Sequence, residues 1–123
     1  MRVAIVEPEK KIYVKEIDSG LESMQKIVGG YIQMIYPLSE PIALICNDEG
    51  KLLGLPLNRG LRDESGKLYD IISGTFFLCG APPDSDELAS LTPEQGTFCL
   101  EQFGIPELFL NINGRLVCVP VTE

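Results

Sequence analysis

An α+β fold is predicted, a strongly bent, mostly antiparallel sheet or small barrel with two helices packed on it, and three observations predict it. Apolar runs of strand length, residues 42–46 and 71–79, are separated by turns rich in Gly, Pro, Asn and Asp. Asn113-Gly114 lies between the apolar stretches 108–112 and 115–119, the pairing that favours a type I′ hairpin turn. Two stretches, Ser19-Gly20-Leu21-Glu22 and Thr92-Pro93-Glu94-Gln95, have the form of helix starts. Several antiparallel strands with two helices against them are the layer arrangement that buries all these apolar faces at once.

Residues 2–6 and 12–17 read as two strands joined by the polar turn Glu7-Pro8-Glu9-Lys10-Lys11, the second with the imperfect alternation of an edge strand. Ser19 is expected to cap the first helix, with Glu22 reaching back to the cap amide. Leu21, Met24, Ile27 and Val28 fall on one helical face, and Gly29-Gly30 ends the helix because glycine takes the left-handed conformation cheaply. Residues 31–36 read as a strand ended by Pro37. Residues 42–46 are continuously apolar, as a central strand buried on both faces is. Asn47-Asp48-Glu49-Gly50 is a turn, and residues 51–55 are expected to return as its hairpin partner.

Residues 56–62 (PLNRGLR) read as irregular, Asp63-Glu64-Ser65-Gly66 as a turn, and 67–70 and 71–79 as extended, with Ser73-Gly74-Thr75 marking a bulge. Residues 80–87 form a polar connector. The second helix starts at a threonine cap with Pro93 in its first position, carries Phe98, Cys99, Leu100 and Phe103 inward, and stops near Gly104. Pro120 ends the closing hairpin.

The chain has 123 residues, the size of one domain, so residues 1–123 are read as a single domain. Net charge is −8, which disfavours a phosphate-tracking nucleic-acid surface and leaves three readings. The acidity serves solubility, or meets a basic partner, in the extreme by mimicking DNA, or surrounds a small anion pocket of opposite local field. No apolar run approaches a membrane span and Glu7 and Glu9 follow the short N-terminal apolar run, so a cytoplasmic location is expected. Cys46, Cys79, Cys99 and Cys118 lie in apolar runs with long, irregular separations. They read as buried, reduced thiols; two disulfides are the alternative, and a zinc cluster lacks both paired spacing and histidine.

The sequence contains no histidine, which removes Ser-His-Asp and Cys-His catalysis. Apolar surroundings raise a thiol pKa, against a cysteine nucleophile. The carboxylate pairs Asp48/Glu49 and Asp63/Glu64 suit acid–base or magnesium chemistry, but they sit in turns beside glycine, where solvated acids are routine. Neither a catalytic residue, a cofactor nor a metal is expected. Gly29-Gly30 would let a phosphate approach the backbone, without the following helix such sites use.

The candidate site is Asn58, Arg59, Arg62, Tyr69 and Asp70. Arginine's planar fork matches phosphate oxygens, and asparagine donates to and accepts from a base or ribose. Set among Gly54, Pro56 and Gly60, between two apolar walls, these groups read as an anion clamp. The competing reading pairs Arg59 and Arg62 with Asp63, Glu64 or Asp70 on the surface and makes Asn58 a turn cap.

Three pieces, GLESMQKIVGGYIQMIYP, ALICNDEGKLLGLPLNR and YDIISGTFF, together resemble domain-of-unknown-function family 3846, over residues 1–80. The matching positions include Gly29, Gly30, Asn47, Glu49, Gly50, Pro56, Asn58, Arg59, Asp70, Gly74, Thr75 and Phe76. The resemblance implies a phage or mobile-element accessory protein; it transfers no catalytic role. By analogy such proteins interfere with host defence from the host cytoplasm. The expected function is therefore a non-enzymatic sponge, a homo-oligomer that sequesters a small anionic, nucleotide-like ligand and binds neither nucleic acid nor membrane. The alternatives are an acidic protein-binding inhibitor, such as a DNA mimic acting against restriction enzymes, and an Asp/Glu metal-dependent hydrolase.

Overall fold

The structure, a computed structural model, describes residues 1–121. Its elements run β1 (Arg2–Val6), β2 (Tyr13–Glu16), α1 (Leu21–Val28), β3 (Ile32–Ile35), β4 (Ile42–Asn47), β5 (Leu57–Arg62), β6 (Leu68–Ser73), β7 (Phe76–Gly80), α2 (Pro93–Phe103), β8 (Glu107–Ile112) and β9 (Arg115–Pro120). The fold is α+β. A five-stranded antiparallel sheet has the order β2-β1-β7-β4-β3, and β5-β6 and β8-β9 are separate two-stranded ribbons. The main sheet is open, with β2 and β3 at its edges, so no barrel closes.

Strand alternation builds two cores on the two faces of this sheet. On one face Ala4, Val6, Leu44, Phe76 and Leu78 pack with Leu61 and Ile72 of the β5–β6 ribbon and with Cys99 and Phe103 of α2. Phe76 and Phe103 meet edge to face at 5.5 Å, a favoured aromatic geometry. On the other face Val3, Ile5, Ala43, Ile45, Phe77 and Cys79 pack with Met24 and Val28 of α1. β4 and β7 are buried along their whole length, which explains their unbroken apolar sequence.

The helices differ in how they begin. Thr92 caps α2 as expected: its hydroxyl accepts from the Gln95 amide, and the Gln95 side chain accepts from the Thr92 amide. The expected cap at Ser19 does not form. Gly20 occupies the N-cap and makes no side-chain bond, because the helix begins one residue later. Gly29 ends α1 in the left-handed conformation, its amide donating to the Gln25 carbonyl. Of the four residues on the expected α1 face, Met24 and Val28 are buried, Ile27 is half-buried and Leu21 is exposed.

Three local expectations are corrected. Residues 51–55 do not pair with β4. They coil into tight turns held by Leu53-to-Glu49 and Leu55-to-Gly50 backbone bonds, while β4 pairs with β3 and β7. Residues 57–62 are a strand, paired with β6 through register shifts at Leu57/Arg59 and Leu61/Arg62. Ser73-Gly74-Thr75 is no bulge: with Gly74 at φ +85°, the chain leaves the ribbon there and enters the main sheet. Among the described residues, no helix is long and apolar enough to cross a membrane.

Candidate functional site

Strand β5 carries Asn58 and Arg59 into the interior, where they are 0% and 1% exposed. The Asn58 amide nitrogen donates to the carbonyls of Val6 and Gly74, each at 2.8 Å. It thereby ties the end of β1 to the crossing between β6 and β7. The Asn58 side-chain oxygen accepts from Nη1 of Arg59 at 2.9 Å. Nε of Arg59 donates to the Phe103 carbonyl at 3.0 Å, and Nη2 to the Lys10 carbonyl at 2.6 Å. The last turn of α2 and the β1–β2 turn are thus both fastened to one guanidinium. Burial pulls the Arg59 pKa down, and the nearby Glu107 charge opposes that pull. Among the described residues no buried side-chain nitrogen or oxygen lacks a partner.

Arg62, at the far end of β5, pairs with Glu107 at 2.5 Å and borders a hollow of about 60 Å³ beside Leu38, Gly60 and Phe103. Tyr69 is exposed on β6. Asp70 receives Lys51 and the Ile71 amide. Burial works to raise the Asp70 pKa, but the Lys51 and Ile71 bonds and the Lys51 charge together hold it below the ordinary value. Asp70 lines a different cleft, about 280 Å³, with Asn47, Gly50 and Lys51. The five sequence-predicted residues therefore occupy four surroundings: Asn58 and Arg59 in the interior, Arg62 against Glu107, Asp70 across a cleft from β4, and Tyr69 facing solvent.

The carboxylate pairs act in turns. Asp63 accepts from the Ser65 hydroxyl and from the amides of Ser65 and Lys67. The Ser65 side-chain bond leads in holding its pKa down. The Asn47 side-chain oxygen accepts from the Glu49 amide. All four cysteines are free thiols. Burial pushes Cys46 and Cys99 up to about 11 and Cys79 up to about 12.

A second groove was not anticipated from the sequence. Residues 81–88, after β7, run beside the end of β3 and enclose about 370 Å³. Met34, Tyr36, Pro82 and Pro83 supply its apolar surface, and Asp86 and Glu87 its charge. Tyr36 is exposed and donates its hydroxyl hydrogen to the Met34 sulfur. Among the described residues β3 pairs only with β4, so its other backbone edge has no strand partner, and Met34 of β3 reaches the groove. The sequence held a signal for this site: an aromatic-flanked strand (YIQMIY), of which Ile32 and Ile35 pack on the core and Met34 and Tyr36 do not, and a proline-rich acidic connector.

The family model described as Domain of unknown function (DUF3846) matches residues 1–104. The match runs through α2, beyond the residues 1–80 that carry the resemblance, and stops before β8. No curated protein and no solved structure matches the chain.

Proposed function

The chain belongs to the DUF3846 family, and on that premise we propose that it is a non-enzymatic, acidic protein-binding module that takes an extended, basic segment of a partner protein along β3. One observation carries this reading: a strand without a partner on its outer edge contributes Met34 to a groove that also holds Tyr36, Pro82 and Pro83 and the acidic Asp86 and Glu87. A peptide adding to a sheet edge gains affinity from main-chain hydrogen bonds and specificity from the pockets that receive alternate side chains. Tyr36 and Met34 offer such a pocket an amphipathic, adaptable wall. Asp86 and Glu87 favour Lys or Arg on the incoming strand, and the net charge of −8 steers a basic partner toward the whole molecule. In the phage or mobile-element setting that the family resemblance implies, such a module acts as an inhibitor of a host protein.

The test is a titration of the isotope-labelled full chain with short extended peptides, Lys/Arg-rich in one set and Glu-rich in the other, followed by amide chemical shifts. The basic set is expected to move Gln33, Met34, Ile35 and Leu88, with affinity falling as salt rises. Equal response to both sets, or shifts confined to other elements, would overturn the proposal.

A second reading, sequestration of a small anionic nucleotide-like ligand, is favoured by Arg62, whose half-exposed side chain borders the 60 Å³ hollow. That volume suits one phosphate-sized group. Calorimetric titration of cyclic nucleotides tests it: recovery of intact ligand from a tight complex supports it, and no heat across the panel ends it.

A further inference from the structure

The β8–β9 ribbon lies outside the matched residues 1–104 and has an unusual pair of faces. Its register sets Leu108 opposite Val119, Leu110 opposite Val117 and Ile112 opposite Arg115. Residues directly opposite in an antiparallel pair share a face, so Leu108, Leu110, Ile112, Val117 and Val119 form one aliphatic surface with Arg115 at its tip. The other face carries Glu107, which is buried against β5, and Phe109 and Cys118, which are half-buried. The ribbon is thus docked through Glu107, Phe109 and Cys118 of one face, whose Asn111, Leu116 and Pro120 are exposed, while on the aliphatic face Leu108, Leu110, Ile112 and Val119 are exposed and Val117 is half-buried.

A strand pair with one solvated face ordinarily shows polar residues there. Apolar residues on both faces are the pattern of a sandwich layer, covered by a second sheet about 10 Å away. The exposed aliphatic side chains, with Val121 just beyond β9, amount to roughly 400–500 Å² in one patch, the size at which a monomer's largest patch is functional.

We propose that this face packs against the same face of a second copy of the chain, forming a two-fold dimer. Three features select an identical partner. A two-fold contact needs a self-complementary patch, and an aliphatic one is complementary to itself, whereas a single-signed charged patch is not. On a chain of net charge −8 the face carries no acidic residue, so two acidic bodies meet where neither is negative. Arg115 lies at the tip, so antiparallel packing about the Leu110–Val117 pair sets the two Arg115 side chains at opposite ends. Doubling the patch gives on the order of 900 Å² of aliphatic surface, and the flanking rim brings the contact near the lower bound of about 1,200 Å² for specific interfaces. A weak, reversible dimer follows, independent of the groove along β3.

Sedimentation of the full chain, from nanomolar to its highest soluble concentration, tests this. The wild type is expected to double in mass. Leu110→Lys, a change at an exposed position, is expected to raise the dimer dissociation constant at least about a hundredfold by placing a charge at the centre of the contact, with the thermal midpoint of the monomer unchanged. Leu52→Lys, at an exposed leucine in the turns after β4, is expected to leave dimerisation intact. A wild type that stays monomeric throughout, as a face reserved for a different protein would, overturns the proposal. So does a Leu110→Lys protein that dimerises like the wild type.

Discussion

Glu107 and Gly60 face each other across the junction between the closing ribbon and the family domain, and the Glu107 carboxylate accepts the Gly60 amide at 2.6 Å. Its other oxygen pairs with Arg62 at 2.5 Å. Gly60 opposes Ile71 within the β5–β6 ribbon, and its amide is served by a side chain 47 residues away. Glu107 is buried, so its removal strands a donor that water does not reach. Glu107→Ala is expected to cost about 2–3 kcal/mol, below the full value for breaking a buried pair because Arg62 regains water. Glu107→Gln keeps one acceptor and is expected to cost about half as much. Urea denaturation ranks the two; equal losses would mean that the charge of Glu107 on Arg62 matters and the acceptor that Gln retains does not.

Arg59 and Asn58 are expected to behave as one unit. Arg59→Lys replaces a fork that reaches Phe103, Asn58 and Lys10 with a single ammonium, and is expected to cost about 3 kcal/mol. Asn58→Ala leaves the Val6 and Gly74 carbonyls without the side-chain donor and takes from Nη1 of Arg59 the shorter of its two acceptors, at a similar cost of about 3 kcal/mol. Because the two side chains bond each other, the double variant is expected to lose less than the sum, by about 1 kcal/mol or more. Additive losses in a double-mutant cycle would break the unit. An Arg59→Lys protein with wild-type stability and altered ligand affinity would restore Arg59 to a binding role.

These bonds explain what the sequence made legible and what it did not. The Thr92-Pro93 helix start, the Asn113-Gly114 hairpin and the buried run at β4 were readable because each is determined by neighbours a few residues away. The role of Arg59 was not, since its acceptors lie 44 and 49 residues distant and are backbone carbonyls that carry no sequence signature. An arginine beside asparagine and glycine reads equally as ligand clamp or structural knot until the chain closes around it. β5 was missed for a related reason: Gly60 and Pro56 suggested irregular structure, but β5 is shaped by register shifts against β6 and by Glu107 from the end of the chain. The 370 Å³ groove joins β3 to a connector that follows it by some 45 residues in a different strand order, which local pattern does not encode.

Gly50 is expected to be intolerant of a side chain. A methyl group built there falls 2.7 Å from the Ser73 carbonyl oxygen, a backbone atom of β6 that cannot move alone. Gly50→Ala is therefore expected to destabilise by about 1–3 kcal/mol, as overpacking does. Gly96→Ala in α2, where nothing lies within 4 Å, is expected to gain a few tenths of a kcal/mol or more from helix propensity. Thermal midpoints of the two variants should move in opposite directions; a neutral Gly50→Ala would mean that the turns after β4 shift freely relative to β6.

The buried thiols give the protein an alkaline limit. Cys46 and Cys99 are raised to about 11 and Cys79 to about 12, from the ordinary 9.0, chiefly by burial. An acid whose folded pKa is raised stays protonated in the native state while the unfolded chain releases its proton, so the unfolded state binds fewer protons and stability falls as pH rises. The contribution is complete below pH 9 and is lost between pH 9 and about 11–12. At one unit above the unfolded pKa the loss is about 1 kcal/mol per thiol. Urea midpoints from pH 8 to 10.5 are expected to fall, and Cys79→Ala, although less stable at pH 8, is expected to show the shallower slope. Cys118, half-buried on the ribbon, is expected to react with iodoacetamide first in the native protein, and the other three only as the chain unfolds. A slope unchanged by Cys79→Ala would place the alkaline loss elsewhere, in groups that the thiols do not sense.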